Sequence, residues 1–200
     1  MDADCKRVLV AYATKHGSTR EVAEIVGAGL SRTGLETVVR PAHEVDGLEP
    51  YDAVVLGGAL YTGRWHRAAV AFLRRHRRAL RTRPLAVFAL GPRTLDDADV
   101  EGARAQLGRA LEKVPEVVPV ATAVFGGVID PTKLRFPFNR MEASDARDWD
   151  AIRAWAGDVA EALAGNPHER GGIPVADSAP APMSRELPPR KLRATFTGRS

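Results

Sequence analysis

The chain has a single cysteine, Cys5, so it can form no internal disulfide; its stability is expected to rest on an apolar core suited to a reducing cytoplasm. Long hydrophobic runs are also missing. The most apolar later stretch, residues 117–129, is too short to cross a bilayer, and the start, Met-Asp-Ala-Asp, lacks the basic residues and apolar core of a secretory signal. A soluble protein is expected. There is no G-x-G-x-x-G and no Lys-Ser/Thr pair after a second glycine, which excludes a dinucleotide fingerprint and a Walker loop. A receiver domain would want acids at the ends of its first and third strands; here those ends read Ala13-Thr14 and Gly57-Gly58. Acid is absent again between Arg64 and Arg83, where eight arginines fall. Such a run is ordinarily a solvated face, and otherwise a surface for lipid headgroups, an acidic redox partner or substrate carboxylates. No recognised nucleic-acid motif accompanies it, so no nucleic-acid partner is expected.

What is present suits one α/β domain: 200 residues, 44% of them hydrophobic, enough to bury a core without metals. The organising stretch is residues 8–19. Val8, Leu9, Val10 and Ala11 form a short β-branched run typical of a central parallel strand. A turn follows in which the hydroxyls of Thr14, Ser18 and Thr19 surround Gly17, where no Cβ blocks an anion from the backbone. The helix beginning at Ser18 or Thr19 aims unpaired N–H groups at the same spot, and Ser18 with Glu21 fits a capping box. Both a phosphate loop and a plain strand-to-helix turn are compatible with these residues.

Further along, residues 35–40, 52–58, 84–91 and 117–127 read as strands two to five, with helices over 19–31, 65–80, 99–113 and 145–163 and Gly34 stopping the first. Strand three ends on Gly57-Gly58, and the loop 59–64 follows with Tyr61 and Trp65 close by. About twenty residues separate strand five from the last helix. They include Lys133, Arg135, Phe136, Pro137, Phe138 and Arg140, and a bare loop of this length is either functional or a cover that buries Phe136 and Phe138. Residues 166–200 hold six of the fourteen prolines and +3 of the net charge of +4, and read as a disordered basic tail behind a domain of residues 6–165.

Thr14-Lys15-His16-Gly17-Ser18-Thr19 resembles the phosphate-binding loop of flavodoxins, Thr-x-x-Gly-x-Thr. The resemblance implies that these six residues grip the phosphate of flavin mononucleotide, FMN. Residues 57–66, Gly-Gly-Ala-Leu-Tyr-Thr-Gly-Arg-Trp-His, resemble the second flavin loop. In the form Gly-x-x-Leu-x-x-Gly-x-aromatic-His they look most like the menaquinone-dependent protoporphyrinogen dehydrogenases of flavodoxin-like fold. By this resemblance Ala59, Leu60, Tyr61, Thr62 and Gly63 flank one side of the isoalloxazine, and Leu90, Gly91, Pro92, Arg93 and Thr94 the other, with Tyr61 and Trp65 the aromatic candidates. The third loop lacks the stacking aromatic of many electron carriers. Asp148-Trp149 matches an Asp-Trp pair of that family, but the insertion before it is shorter, a departure that bears on the substrate more than on the flavin.

The implied architecture is α/β, a flavodoxin-like doubly wound five-stranded parallel sheet of order 2-1-3-4-5 with helices on both faces, whose three loops converge on one crevice. Three functions stay open. One is an FMN oxidoreductase taking hydride equivalents from a substrate, by resemblance protoporphyrinogen IX, and passing them to a quinone, with Arg64 or Arg135 for the propionates. The second is a flavodoxin-type electron carrier, a class that tends to be acidic where this chain has a pI near 9.6. The third is a contact module without flavin. No catalytic acid–base pair stands out; His66 is the nearest candidate and reads as structural. No metal is expected. The expected location is the cytoplasm, with the basic helix or the tail offering contact to an anionic membrane's inner face.

Overall fold

Val8, Leu9, Val10 and Ala11 are fully withdrawn from water, as a strand covered on both faces requires. In this computed structural model the described residues are 6–92, 94–133, 136, 138–140 and 142–164. The expected tail, Cys5, Arg93 and Arg135 lie outside them.

Strand β1 (Arg7–Ala13) is central, pairing in parallel with β2 (Glu36–Pro41) on one side and β3 (Ala53–Tyr61) on the other. β3 pairs in parallel with β5 (Leu85–Leu90), and β5 with β6 (Ala121–Phe125). The parallel order is therefore β2-β1-β3-β5-β6, the expected doubly wound sheet. β4 (Arg64–Trp65) is an added antiparallel strand folded back on β3.

The period-two alternation of β1, β3 and β5 divides the core into two layers. Leu9, Val54, Leu56 and Val87 face α2 (Arg67–Leu80) and α3 (Asp97–Leu111). Val8, Val10, Val55 and Phe88 face α1 (Ser18–Arg32) and α4 (Trp149–Ala164). Gly34, at φ +89°, stands just past α1 as expected.

Several expected boundaries move. The third strand runs through Gly57 and Gly58 to Tyr61 instead of ending on the glycines. A Cβ at Gly57 would enter the Phe88 ring, and one at Gly58 would meet Trp65 Nε1 at 2.5 Å. Both glycines therefore make room for large neighbours inside the strand. Trp65 belongs to β4 rather than to the helix that follows, and it is buried with Nε1 donating to the Gly58 carbonyl at 3.0 Å. The last helix starts at Trp149, not 145, because the Asp148 carboxylate accepts from the Asp150 and Ala151 amides, both at 3.0 Å. Asp145 instead lies in β8 (Ser144–Asp145), which pairs antiparallel with β7 (Val128–Ile129). The segment after the fifth strand is thus a small flap. It does not bury Phe136, which is 71% exposed beneath the Arg140 guanidinium; the Phe138 side chain is outside the description.

Candidate functional site

The site is built where β1 and β3 hand their chain to opposite halves of the sheet, so that a crevice opens at their C-terminal ends. After Ala13 the chain turns through Thr14, whose Oγ1 accepts from the Gly17 amide at 3.0 Å. Gly17 is left-handed at φ +99°, with nothing within 4 Å of where a Cβ would stand. The expected Ser18–Glu21 capping box does not form. Gly17 is the N-cap and no side chain caps α1, because Ser18 is already helical and its hydroxyl cannot reach back over the first turn. Glu21 instead pairs with Arg147 at 2.7 Å.

Thr19 is wholly buried, and its hydroxyl has no hydrogen-bond partner. A buried hydroxyl left unpaired costs free energy, of order 1–3 kcal/mol. At a helix start that no side chain caps, an anion offsets that cost and meets the positive end of the helix dipole. The donor set therefore fits a phosphate.

The second wall is the β3–β4 hairpin. Thr62 at φ +46° and Gly63 at φ +77° form its two-residue turn, and both positive values belong to the tight turn whose twist matches antiparallel strands. This geometry projects Tyr61 over the cavity mouth, edge-on to His16 at 6.0 Å and to His66 at 5.9 Å between ring centroids. Burial raises the Tyr61 phenol's pKa, a backbone hydrogen bond at Lys15 opposing, so it stays neutral. His16 is pushed down by burial, then by Lys15 and Lys133, with Asp130 opposing. His66 is lowered by burial, then by Arg67 and Lys15. Its Nδ1 accepts from the Ala68 amide at 3.2 Å, capping α2, which agrees with a structural reading.

The third wall follows β5. Leu90 and Gly91 reach the cavity, and the Gly91 amide donates to the Phe125 carbonyl while the Gly127 amide donates to Pro92, fastening this loop to the end of β6. Thr94 points elsewhere: its hydroxyl lies 2.5 Å from Asp96 Oδ2 and 2.8 Å from Asp99 Oδ2, bracing the start of α3.

These walls enclose a cavity of about 1130 Å³. Of the sequence-predicted residues it brings together Lys15, His16, Ser18, Ala59, Leu60, Tyr61, Thr62, Leu90 and Gly91. Thr14, Gly17, Thr19, Gly63, Pro92 and Thr94 are not in its wall, the first three forming the floor of the turn behind it. Trp65 lines the cavity from the core side, 4% exposed, and pairs across the hairpin with Leu60.

The flap after β6 is the part of the wall that motif reading missed. It contributes residues 127–130, Lys133, Phe136 and Arg147. Arg147, its side chain only 9% exposed, bridges Asp145 at 2.6 Å and Glu21 at 2.7 Å and lies over the Trp149 ring, so it ties the flap to the first turn of α1. The sequence signals for it were the length of the segment and its basic and aromatic residues, Lys133 and Phe136 among them.

The flavodoxin domain family matches residues 9–141. Protoporphyrinogen IX dehydrogenase [quinone] of Escherichia coli K12 is 29% identical over 86 residues, covering 42% of this chain and 48% of that protein. The chain thus spans about half the length of the curated relatives it matches. Among solved structures, a flavodoxin from Pseudomonas aeruginosa is similar in fold, with TM-score 0.51 and 21% identity over 80% of this chain and 99% of that one. Oxidised flavodoxin 1 from Bacillus cereus gives TM-score 0.53 and 16% identity over 78% and 97%.

Proposed function

The chain belongs to the flavodoxin domain family, whose cofactor is FMN, and from that premise we propose that it is an FMN-dependent oxidoreductase of the protoporphyrinogen dehydrogenase kind, handing electrons to a quinone. The size of the cavity is the observation that carries this reading. Pockets for single small molecules span about 300–1000 Å³, and at about 1130 Å³ this one has room for a substrate beside the cofactor. An electron carrier needs no such room, and its class is commonly acidic where this chain's pI is near 9.6.

FMN supplies the redox chemistry, and the chain holds, orients and shields it. We assign the phosphate to Thr14, Lys15, His16, Gly17, Ser18 and Thr19. The uncapped start of α1 and the unpaired Thr19 hydroxyl support this, with Lys15 adding charge. A helix terminus contributes only about 1 kcal/mol to an anion, whereas nanomolar binding needs about 12. Contacts to the ring system must therefore supply much of the rest. We assign them to residues 59–63 and to Leu90 and Gly91, with neutral Tyr61 as the aromatic. Pro92 and Thr94 lie outside that wall, Thr94 being engaged with Asp96 and Asp99, and Arg93 is outside the described residues. Arg64 and Lys133, cationic in the same cavity, suit the propionates of a porphyrinogen.

The test is the visible spectrum of the purified protein before and after FMN is added, alongside Gly17→Asp with Thr19→Val, followed by turnover of protoporphyrinogen with menadione. Flavin bands lost in the double variant, together with turnover by the parent chain, support the enzyme. Flavin without turnover leaves the carrier, and no flavin uptake sinks both.

A further inference from the structure

A second concavity, of about 900 Å³, lies outside the flavin cavity, between α2, α3 and the outer side of the β3–β4 hairpin. Five cations line it: Arg64, Arg67, Arg74, Arg109 and Lys113. All five are exposed, and among the described residues none makes an ion pair. Glu112 is the only acid in the lining. Elsewhere on α2, Arg75 meets Asp46 at 3.3 Å and Arg77 meets Glu116 at 3.6 Å. Of the three α2 arginines without an ion pair among the described residues, Arg67 and Arg74 line the groove and Arg78 does not, so most of the helix's unpaired charge faces the groove. A cluster of like charges in a concavity raises the local concentration of oppositely charged groups.

We propose that this groove docks an acidic segment of a partner protein, seated against the hairpin that forms one wall of the flavin cavity. Arg64, Trp65 and Arg67 line both concavities, so the occupant lies against the same two-residue strand that closes the site. Carboxylates on a narrow segment reach charges recessed in a groove, which a flat bilayer surface does not. Among the described residues the large exposed apolar ones, Leu95, Val118 and Phe136, all lie outside the groove, so its described lining offers no side chain to insert into lipid. Its one aromatic, Trp65, is 4% exposed and offers no face for stacking bases. Electron exchange with that partner rests on the oxidoreductase reading, whereas docking itself does not.

The experiment titrates the full FMN-loaded chain into a fluorescein-labelled decaglutamate peptide and follows anisotropy, at about 20 mM and about 300 mM salt, where screening lengths differ several-fold. Arg74→Glu with Arg109→Glu removes two groove cations that do not line the flavin cavity. Arg32→Glu with Arg40→Glu makes the same charge change at exposed positions on α1 and the edge strand β2, outside the groove lining. The expected result is salt-sensitive binding that the groove pair weakens by about tenfold or more, while the far pair changes it less than about twofold. Equal weakening by both pairs reduces the effect to net charge and overturns the proposal, as does no binding by the parent chain at low salt. Tighter capture of phosphatidylglycerol vesicles or duplex DNA, with the same dependence on Arg74 and Arg109, also overturns it. Flavin absorbance in both variants, and circular dichroism matching the parent, keep misfolding from imitating a positive result. No turnover is read, so failure of the oxidoreductase reading leaves the outcome intact.

Discussion

Thr19 carries a buried hydroxyl with no partner among the described residues, and this fixes the sign of what its removal does. Thr19→Val deletes an unpaired polar group at little change in shape, so the FMN-free protein is expected to unfold at an equal or higher temperature. FMN binding is expected to weaken by about tenfold or more, since a hydrogen bond to a charged group is worth about 1.5–3 kcal/mol. Thermal unfolding without FMN and a flavin-fluorescence titration check the two halves separately; a fall in both would make the hydroxyl structural. Gly17→Ala is the contrast. A Cβ at φ +99° has open space but a strained backbone, costing about 1–2 kcal/mol, so both stability and FMN affinity are expected to drop. The Gly17 signal was legible in the sequence because only glycine takes that conformation freely. The isolation of Thr19 was not, since a threonine in a helix's first turn looks the same whether or not it has a partner.

His76 is a second residue whose environment the sequence concealed. It sits 8% exposed on the buried face of α2, its ring 4.6 Å from that of Phe72 and Nε2 without a partner. Burial and then Arg75 lower its pKa below 6.5, against the Val45 backbone, Glu49 and Asp46, which raise it. The unfolded chain therefore binds this proton more readily than the folded one. Stability from this group is complete above pH 6.5 and is lost as pH falls through 6.5 toward the folded value. His76→Leu is expected to flatten that loss, read as a smaller fall in denaturation midpoint between about pH 7.5 and pH 5.5. An unchanged slope would place the acid sensitivity in His16 and His66, both also lowered by burial.

At the scale of elements, the glycine pair at 57–58 shows where pattern reading stops. Two glycines after an apolar run look like a strand ending in a loop, yet the run continues because Phe88 and Trp65 need the vacant volume. Which neighbour fills that volume is a tertiary fact. Gly57→Ala drives a methyl into the fully buried Phe88 ring and is expected to destabilise by about 1–3 kcal/mol, lowering the melting temperature by about 2–12 °C. Thr62→Asn acts in the opposite direction, since asparagine tolerates the left-handed turn at φ +46° better than a β-branched residue, and a modest rise in melting temperature is expected. The flap was legible as a long segment with basic and aromatic residues but not as strands, because two-residue strands carry no periodicity. Its fastening depends on Arg147. Arg147→Met removes the bridge to Glu21 while keeping apolar bulk over Trp149, so amide exchange in β7 and β8 is expected to quicken while β1 and β5 are unaffected. Uniform protection throughout would mean that the flap is held by something else.

Taken as one molecule, the fold was legible from alternation. Runs too short for helices, separated by helical patterns, imply parallel crossovers, and right-handed crossovers leave few orders for five strands. The β2-β1-β3-β5-β6 order and the partition of α1 and α4 from α2 and α3 follow from that. The hairpin strand β4 was not foreseen, because it adds only two residues to an edge the parallel scheme does not require. One closure had no signal in the sequence: the Lys6 ammonium donates to the Leu163 carbonyl at 3.0 Å, joining the start of β1 to the last turn of α4. Ile152, Ala156, Val159 and Leu163 of that helix are almost wholly buried. A self-sufficient domain of residues 6–165 is the proposal this supports, and truncation tests it. A chain ending at residue 165 is expected to melt within about 2 °C of the full chain and to take up FMN equally. One ending at residue 158 loses Val159 and Leu163 from the core, and at about 1.5–3 kcal/mol for each buried side chain it is expected to lose most of its stability. If removing residues 166–200 alone lowered the melting temperature by as much as the deeper cut, the domain boundary would be wrong, and the basic segment would belong to the folded unit.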